Sequence, residues 1–245
     1  MALVTISDVH IQSFDRKHRD LFLQFLNHET VRRADQICLL GDIFDVFVGP
    51  HREYFYLFED VFVALKSLLF EGKTIYYVEG NHDIHFEKFF NSILSPREKA
   101  NFHVVKGKKT LNVGGVNIQL SHGDEYNLGE NIYPIYRAFI GSHFMSFLVN
   151  RVLSFEGLHR AAENASSRSR NKTKVYDTEK LKNKMRDKVQ SSWPSNVEIL
   201  LCGHVHILDA VSFSGNRLYM NNGFFPKSKK FISVGDDGKA KFIQI

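Results

Sequence analysis

The 245-residue chain carries only two cysteines, Cys38 and Cys202. That count excludes a disulfide-stapled scaffold, and neither cysteine has the second thiolate nearby that a zinc site of this kind needs. Each lies in an apolar run, Gln36-Ile37-Cys38-Leu39-Leu40 and Ile199-Leu200-Leu201-Cys202, the setting of a small buried side chain. One long-range disulfide stays open as an alternative to two buried free thiols; the thiols fit the context better, and with them a reducing compartment. Long apolar stretches are missing too. None approaches the ~20 residues of a membrane-spanning helix, and the longest candidate, around Ala138 to Val149, is interrupted by His143 and two serines. No basic leader or cleavage site precedes Leu3-Val4-Thr5-Ile6, which already reads as a strand, so a cytoplasmic protein is expected. There is no repeat of fixed period and no low-complexity tract. An aromatic–basic stacking platform is also absent, so a nucleic-acid partner is not expected.

What is present is a hydrophobic content of 43%, enough for a real core, and a formal charge of +5 that favours an anionic partner. The length suits one domain, or one domain with a sizeable insertion. One arrangement recurs along it: a short apolar run followed at once by polar, acidic or histidine residues. Leu3–Ile6 leads into Ser7-Asp8-Val9-His10, Ile37–Leu40 into Gly41-Asp42, and Ile75–Val78 into Glu79-Gly80-Asn81-His82-Asp83. Val116–Leu120 leads into Ser121-His122-Gly123-Asp124, and Val197–Cys202 into Gly203-His204-Val205-His206. Such runs read as buried strands. Between the first three lie amphipathic helical segments, Arg16 to Arg33 and Tyr54 to Leu69. Alternation of this kind predicts an α/β sandwich whose site forms beyond the carboxyl ends of the strands. The stretch from Ala210 to Ile245 reads as further strands and turns completing a second sheet. Residues 126–194 break the pattern: they are helical in character and too long for an ordinary connection. They predict a helical cap inserted into a body made of 1–125 and 195–245.

The five polar clusters supply hard oxygen donors, imidazoles and a carboxylate able to bridge, which is what two divalent ions a few ångströms apart require. Asp8 and His10 alternate at one strand end, and Asp42 at the next is the natural bridge. Asn81 offers an amide oxygen, while His122, His204 and His206 offer nitrogens. Asp45, Asp83 and Asp124 are expected to support those ligands by hydrogen bonds. The remaining histidines read as surface or packing residues, with His85 near enough to the site to watch.

These blocks, in this order, resemble the calcineurin-like metallophosphoesterase superfamily: Asp8-Val9-His10, Gly41-Asp42-Ile43-Phe44-Asp45, Gly80-Asn81-His82-Asp83, His122-Gly123-Asp124 and Gly203-His204-Val205-His206. The resemblance implies an αββα sandwich of two mixed sheets flanked by helices. It implies Asp8, His10, Asp42 and His206 on one ion, and Asp42, Asn81, His122 and His204 on the other. The activity implied is hydrolysis of a phosphate ester or anhydride by hydroxide generated between the ions. It also implies that His82 aids catalysis at the leaving oxygen, a role that suits an imidazole titrating near working pH. A donor set without thiolate suits manganese, with iron or zinc as alternatives.

The cap has to decide the substrate. From Tyr133 to Leu158 it is rich in Ile, Leu, Val and aromatic residues, which either pack it onto the body or form a groove for acyl chains or a face for a membrane. From Arg151 to Lys188, eleven cations stand against five acids, and the resulting +6 exceeds the +5 of the whole chain. This is either a solvated charged face or, around Asn164 to Lys172, a phosphate-binding loop. Apolar and basic surfaces together suggest an amphiphilic anion. Here the chain is similar to the UDP-2,3-diacylglucosamine hydrolase family of lipid A synthesis. That family carries a helical cap at the same place, opening with an acidic residue, a tyrosine and an arginine, which here look like Glu130, Tyr133 and Arg137. Its cap continues into an Asn/Ser/Lys-rich loop, matched by Ser167, Arg168, Asn171, Lys172 and Lys174. The resemblance implies attack on the pyrophosphate of UDP-2,3-diacylglucosamine, giving UMP and 2,3-diacylglucosamine 1-phosphate at the inner face of the cell membrane. The chain departs from well-known members at His82, where they carry arginine. A phosphodiesterase or phosphatase acting on a soluble nucleotide, and a non-catalytic scaffold on the same fold, are the rival expectations. The oligomeric state is not written in the sequence.

Overall fold

A computed structural model of the chain describes residues 2–126, 133–171 and 178–245, with the side chains of Tyr133, Pro134, Tyr136, Arg137 and 167–171 excepted. The chain opens with β1 (Leu3–Ile6), α1 (Arg16–Asn27), α2 (Glu29–Arg33), β2 (Gln36–Leu39), the short β3 (Phe47–Val48), α3 (Glu53–Leu57), α4 (Glu59–Phe70) and β4 (Thr74–Val78). There follow β5 (Asp83–Ile84), α5 (Glu87–Ile93), α6 (Pro96–Ala100), β6 (Phe102–Val105), β7 (Lys109–Val113) and β8 (Val116–Leu120). Next come the helices α7 (Tyr133–Ile140), α8 (His143–Arg151), α9 (Phe155–Asn171) and α10 (Thr178–Ser191). The last elements are β9 (Ile199–Cys202), β10 (Leu208–Phe213), β11 (Arg217–Asn222), α11 (Phe225–Ser228), β12 (Lys230–Val234) and β13 (Ala240–Gln244).

Two mixed sheets result. One runs β13-β12-β1-β2-β4-β6 with β1, β2, β4 and β6 parallel; the other runs β10-β11-β9-β8-β7 with β11, β9 and β8 parallel. The expected α/β sandwich is therefore present, with one change. Only β10 and β11 of the C-terminal strands join the second sheet, whereas β12 and β13 return to the first by antiparallel pairing of Leu3–Thr5 with Ile232–Val234. In each pair one strand, β11 or β12, is buried over its last four positions and its partner is partly exposed, so the pattern names a strand without naming its sheet.

Parallel strands buried on both faces need apolar residues at successive positions, and β1 and β9 are buried throughout. Between the sheets lie Leu3, Cys38, Leu40, Ile118, Leu120, Leu201 and Val234. On the outer face of the first sheet, α1 lays down Leu21, Phe22, Phe25 and Leu26, and α4 lays down Val61, Phe62, Leu65 and Leu68. Interlocked rings fill the rest; Phe47 alone meets Phe44, Phe62, Phe86 and Phe89 at 5.0–5.8 Å between centroids. Each fully buried ring of this kind is worth roughly 1.5–3 kcal/mol. Against the outer face of the second sheet, α10 sets Met185 and Val189 on Leu200, Cys202 and Tyr219. Cys38 and Cys202 are buried free thiols in different layers.

The two long helical segments expected from the sequence are each divided. His28 separates α1 from α2, its imidazole capping Thr30 in extended backbone, and Phe58 separates α3 from α4. The apolar helix pair α7–α8 splits its side chains between two environments. Ile140 and Val149 pack with Val48 of β3 and Ile84 of β5, while Ile135, Phe139, Phe144, Phe147 and Val152 are at least half exposed.

Candidate dimetal site

Every predicted ligand lies just past the carboxyl end of a strand. Loops after β1 and β2 run side by side, the Asp8 N–H donating to the Gly41 carbonyl at 3.1 Å and the His10 N–H to the Asp42 carbonyl at 3.0 Å. Loops after β8 and β9 are clipped together in the same way, the Gly203 N–H donating to the His122 carbonyl at 2.8 Å. Asp8, His10, Asp42, His204 and His206 all adopt left-handed backbone, with φ between 51° and 72°. That region is uncommon for residues other than glycine. It turns the chain sharply off the strand and directs successive side chains into one space. The glycines next to the ligands serve close approach: a Cβ on Gly80 would collide with the Asp42 carboxylate, and one on Gly203 with Ser7 and Asp8.

The side chains converge in two groups. In the first, His10 Nε2 lies 3.1 Å from His206 Nε2 and 3.8 Å from Asp42 Oδ2, and His206 Nε2 lies 3.3 Å from Asp8 Oδ1. In the second, Asn81 Oδ1 is 3.1 Å from both His122 Nε2 and His204 Nδ1, which are 3.2 Å apart, and His122 Nε2 is 3.5 Å from Asp42 Oδ2. Asp42 Oδ2 thus borders both groups. Donor atoms about 3–4 Å apart match a cation bound at ~2.1 Å.

Supporting contacts fix the donors. His122 Nδ1 meets the Leu40 carbonyl at 2.8 Å, which aims Nε2 inward. Asp42 Oδ1 accepts from the N–H groups of Asn81 and His82, each at 2.9 Å. Asp83 stands behind them, accepting from the N–H groups of Asp42, Ile43 and Gly80 and from the Tyr77 hydroxyl, all within 2.7–2.9 Å. Asp45 Oδ1 lies 3.5 Å from His10 Nδ1 and accepts from Ser166 of α9 at 2.9 Å. Asp124 is buried in the turn after β8. His85 holds α7 instead of the centre: its Nε2 meets the Ile140 carbonyl of α7 at 2.6 Å and its N–H donates to Glu79.

The electrostatics demand positive charge. Burial works against ionised Asp42, yet the adjacent His122 and His82 hold its carboxyl well below the usual range. Burial raises Asp8 too, but the hydrogen bond and charge of His206 outweigh it. Burial lowers His122, and the Asp42 carboxylate more than reverses this, keeping the imidazole protonated well above its ordinary value. His204 goes the other way, driven down to about 4 by burial and by His122. Carboxylates that impose protons on neighbouring imidazoles are a site that a cation would occupy in the protons' place. Buried carboxylates, neutralisable imidazoles and an amide oxygen fit a divalent ion well. The residues present fit a pair of them.

Exposure rises from buried Asp8 and His122 to the His206 side chain, 46% exposed. The centre opens there, into a cavity of about 320 Å³ bordered by His82, Gln12, His18 and Phe224. His82 sits at that mouth with Nδ1 2.8 Å from the Asp45 carbonyl. Phe224 stacks on the His206 ring, the planes 19° apart and the centroids 5.2 Å. Phe224 was not named by the sequence, and Ser166 only within the Asn164–Lys172 stretch offered as a phosphate-binding loop, which is helical through Asn171 as the end of α9. For Phe224 a signal existed: Asn222-Gly223-Phe224 ends a strand as the five clusters do, but without an acid or histidine. Of the expected cap residues, Glu130, Lys172 and Lys174 lie outside the described residues, as do the side chains of Tyr133, Arg137, Ser167, Arg168 and Asn171.

Residues 1–140 match the family model of the calcineurin-like phosphoesterase superfamily domain. A UDP-2,3-diacylglucosamine hydrolase of Salmonella newport (strain SL254) is 29% identical over 217 residues, covering 84% of this chain and 82% of that protein. One from Enterobacter sp. (strain 638) is 26% identical over 227 residues, covering 88% and 86%. Among solved structures, an archaeal phosphodiesterase aligns over the full length of both chains with a TM-score of 0.50 at 10% identity, a likeness of fold.

Proposed function

The chain belongs to the calcineurin-like phosphoesterase superfamily and is a metallophosphoesterase, and from that premise we propose that it hydrolyses the pyrophosphate of UDP-2,3-diacylglucosamine to UMP and 2,3-diacylglucosamine 1-phosphate. The observation that carries the reading is a double donor cluster centred on Asp42 in a molecule whose cap helices α7 and α8 leave large apolar side chains in solvent. A soluble nucleotide needs no such surface; a diacylated one does. The two relatives above carry this substrate in their names.

Asp8, His10, Asp42 and His206 would hold one divalent ion and Asp42, Asn81, His122 and His204 the other, with manganese the metal this oxygen and imidazole set suits. Two such ions supply Lewis acidity that makes water a nucleophile near neutral pH and offsets charge on the phosphoryl oxygens. His82 acts at the leaving group. The Asp45 carbonyl accepts from its Nδ1, so Nε2 is the atom at which a proton is given. The protein works at the inner face of the cell membrane, with the apolar face of α7–α8 meeting the acyl chains.

One observation favours a second reading, a phosphodiesterase for a soluble nucleotide: His82 stands where the lipid A family carries arginine. The two are separated by supplying metal-loaded enzyme with UDP-2,3-diacylglucosamine in mixed micelles, or with a simple phosphodiester, and measuring UMP and nitrophenol release. Cation-dependent UMP release, far faster than diester cleavage, is expected. Diester cleavage with no UMP from the lipid would overturn the lipid reading.

A further inference from the structure

Next to the cavity at the metal cluster lies a second of about 160 Å³, and the two share Gln12 and Asp45 in their walls. We propose that this smaller cavity is a pyrimidine-nucleoside subsite, in which Asn164 and Gln12 meet the edge of the base while Phe14 and Phe58 supply its apolar walls. The inference rests on the reading that the substrate is nucleotide-linked, and it assigns the nucleoside end a place.

Size comes first. An engineered cavity of about 150 Å³ accepts one benzene ring, so a space of about 160 Å³ suits a single six-membered ring and leaves a fused purine partly outside. Charge comes second. Among the described residues the lining has no lysine or arginine and includes the carboxylates Asp45 and Glu163, a surface that favours neutral groups that donate hydrogen bonds. Primary amides carry a donor and an acceptor side by side, the complement of a pyrimidine edge. The side-chain amides of Gln12 and Asn164 make no hydrogen bond among the described residues. His159 Nε2 lies 3.1 Å from Glu163, steadying a carboxylate of the kind that binds ribose hydroxyls.

The wall is also built in advance. Arg19 Nη2 donates to the Ser13 carbonyl at 3.4 Å and to the Leu57 carbonyl at 2.9 Å, and its guanidinium lies 5.5 Å above the Phe58 ring. This ties the loop carrying Gln12, Ser13 and Phe14 to the end of α3. The Phe14 ring is 76% exposed, a large apolar surface at the cavity rim. A preordered wall with a bare ring lowers the ordering cost of binding a flat ligand. The polar amides and acids at the same place disfavour an acyl chain.

The test is competitive inhibition of metal-loaded enzyme acting on bis(p-nitrophenyl) phosphate, with methyl phosphate, UMP, CMP and AMP as inhibitors. UMP and CMP should inhibit about tenfold or more better than methyl phosphate, the yield of roughly 1.4 kcal/mol of base recognition, and better than AMP. Asn164→Leu and Phe14→Ala should each erase most of that advantage, with melting temperature and cation content as checks on folding. Equal inhibition by UMP, AMP and methyl phosphate in the wild type would overturn the proposal, as would variants that weaken all four inhibitors by one factor. A pyrimidine preference without hydrolysis of UDP-2,3-diacylglucosamine would leave the subsite standing and remove the lipid reading. UMP release from that lipid without a pyrimidine preference would remove the subsite alone.

Discussion

Five of the seven donor residues adopt left-handed backbone. Each such residue costs of order 1–3 kcal/mol and persists only where its surroundings hold it. Here the paired loops hold it, so the strain is spent on aiming side chains. Gly80 shows how little room is left: its α-carbon faces the Asp42 carboxylate directly, and an added methyl would also lie 2.7 Å from Asp83. Gly80→Ala should therefore lower stability by about 1–3 kcal/mol through overpacking and weaken cation binding, as melting curves and metal analysis would record. His82 differs in kind, since it lies at the mouth and belongs to neither donor group. His82→Ala should reduce kcat by about 10²–10⁴-fold, the range for loss of a positioned acid, while two cations per chain remain by metal analysis. Parallel loss of cations would instead make it a structural residue.

At the scale of elements, the site depends on which helices reach it and which stay away. From α9, Ser166 reaches Asp45, which in turn borders His10, so α9 is tied to the donor cluster by a buried hydrogen bond. α10 lies in the same stretch that the sequence sets apart as cap, yet it packs on the outer face of the second sheet. Its anchor is polar as well as apolar: Arg186 meets Asp209 of β10 in a two-pronged pair at 2.8 and 2.6 Å, with the Asp209 side chain only 6% exposed. Removing one partner leaves a buried charge, which costs about 3–5 kcal/mol in a dry interior and less here because Arg186 is partly solvated. Arg186→Ala should cost about 1–3 kcal/mol, measured by denaturant unfolding. The double variant with Asp209→Ala should recover part of the loss, because the orphaned charge goes with it.

For the whole molecule, cations held by the donor cluster would join elements far apart in sequence. Asp8 lies on the first strand loop and His206 beyond the ninth strand, so a bound ion stabilises the sandwich as any ligand of the folded state does. At a free cation concentration a hundred times Kd this linkage is worth about 2.7 kcal/mol. For a chain of this size that corresponds to roughly 5–10 °C in Tm. Calorimetry with manganese and with excess chelator should show a shift of that order that readded metal reverses. Equal Tm values would mean that the donor cluster binds no cation in the folded protein.

The apolar run ending in a polar cluster is a local pattern, set by the need to bury a parallel strand on both faces and to turn it at its carboxyl end. For that reason the α/β class and the polar clusters at the strand ends could be read from residues alone. That Asp8 meets His206 across nearly two hundred residues was implied by the family resemblance, and the structure sets them 3.3 Å apart. Whether β12 and β13 close the first sheet or the second is another matter, because alternation records a buried face and not its neighbour. The same holds for Phe224 on His206, Ser166 on Asp45, and the cavity between Phe14 and Asn164. Phe14 and Phe224 carry no chemistry that marks them in a sequence, Asn164 and Ser166 stood out only as part of a polar, basic stretch, and only the packing of distant segments brings the four to the site.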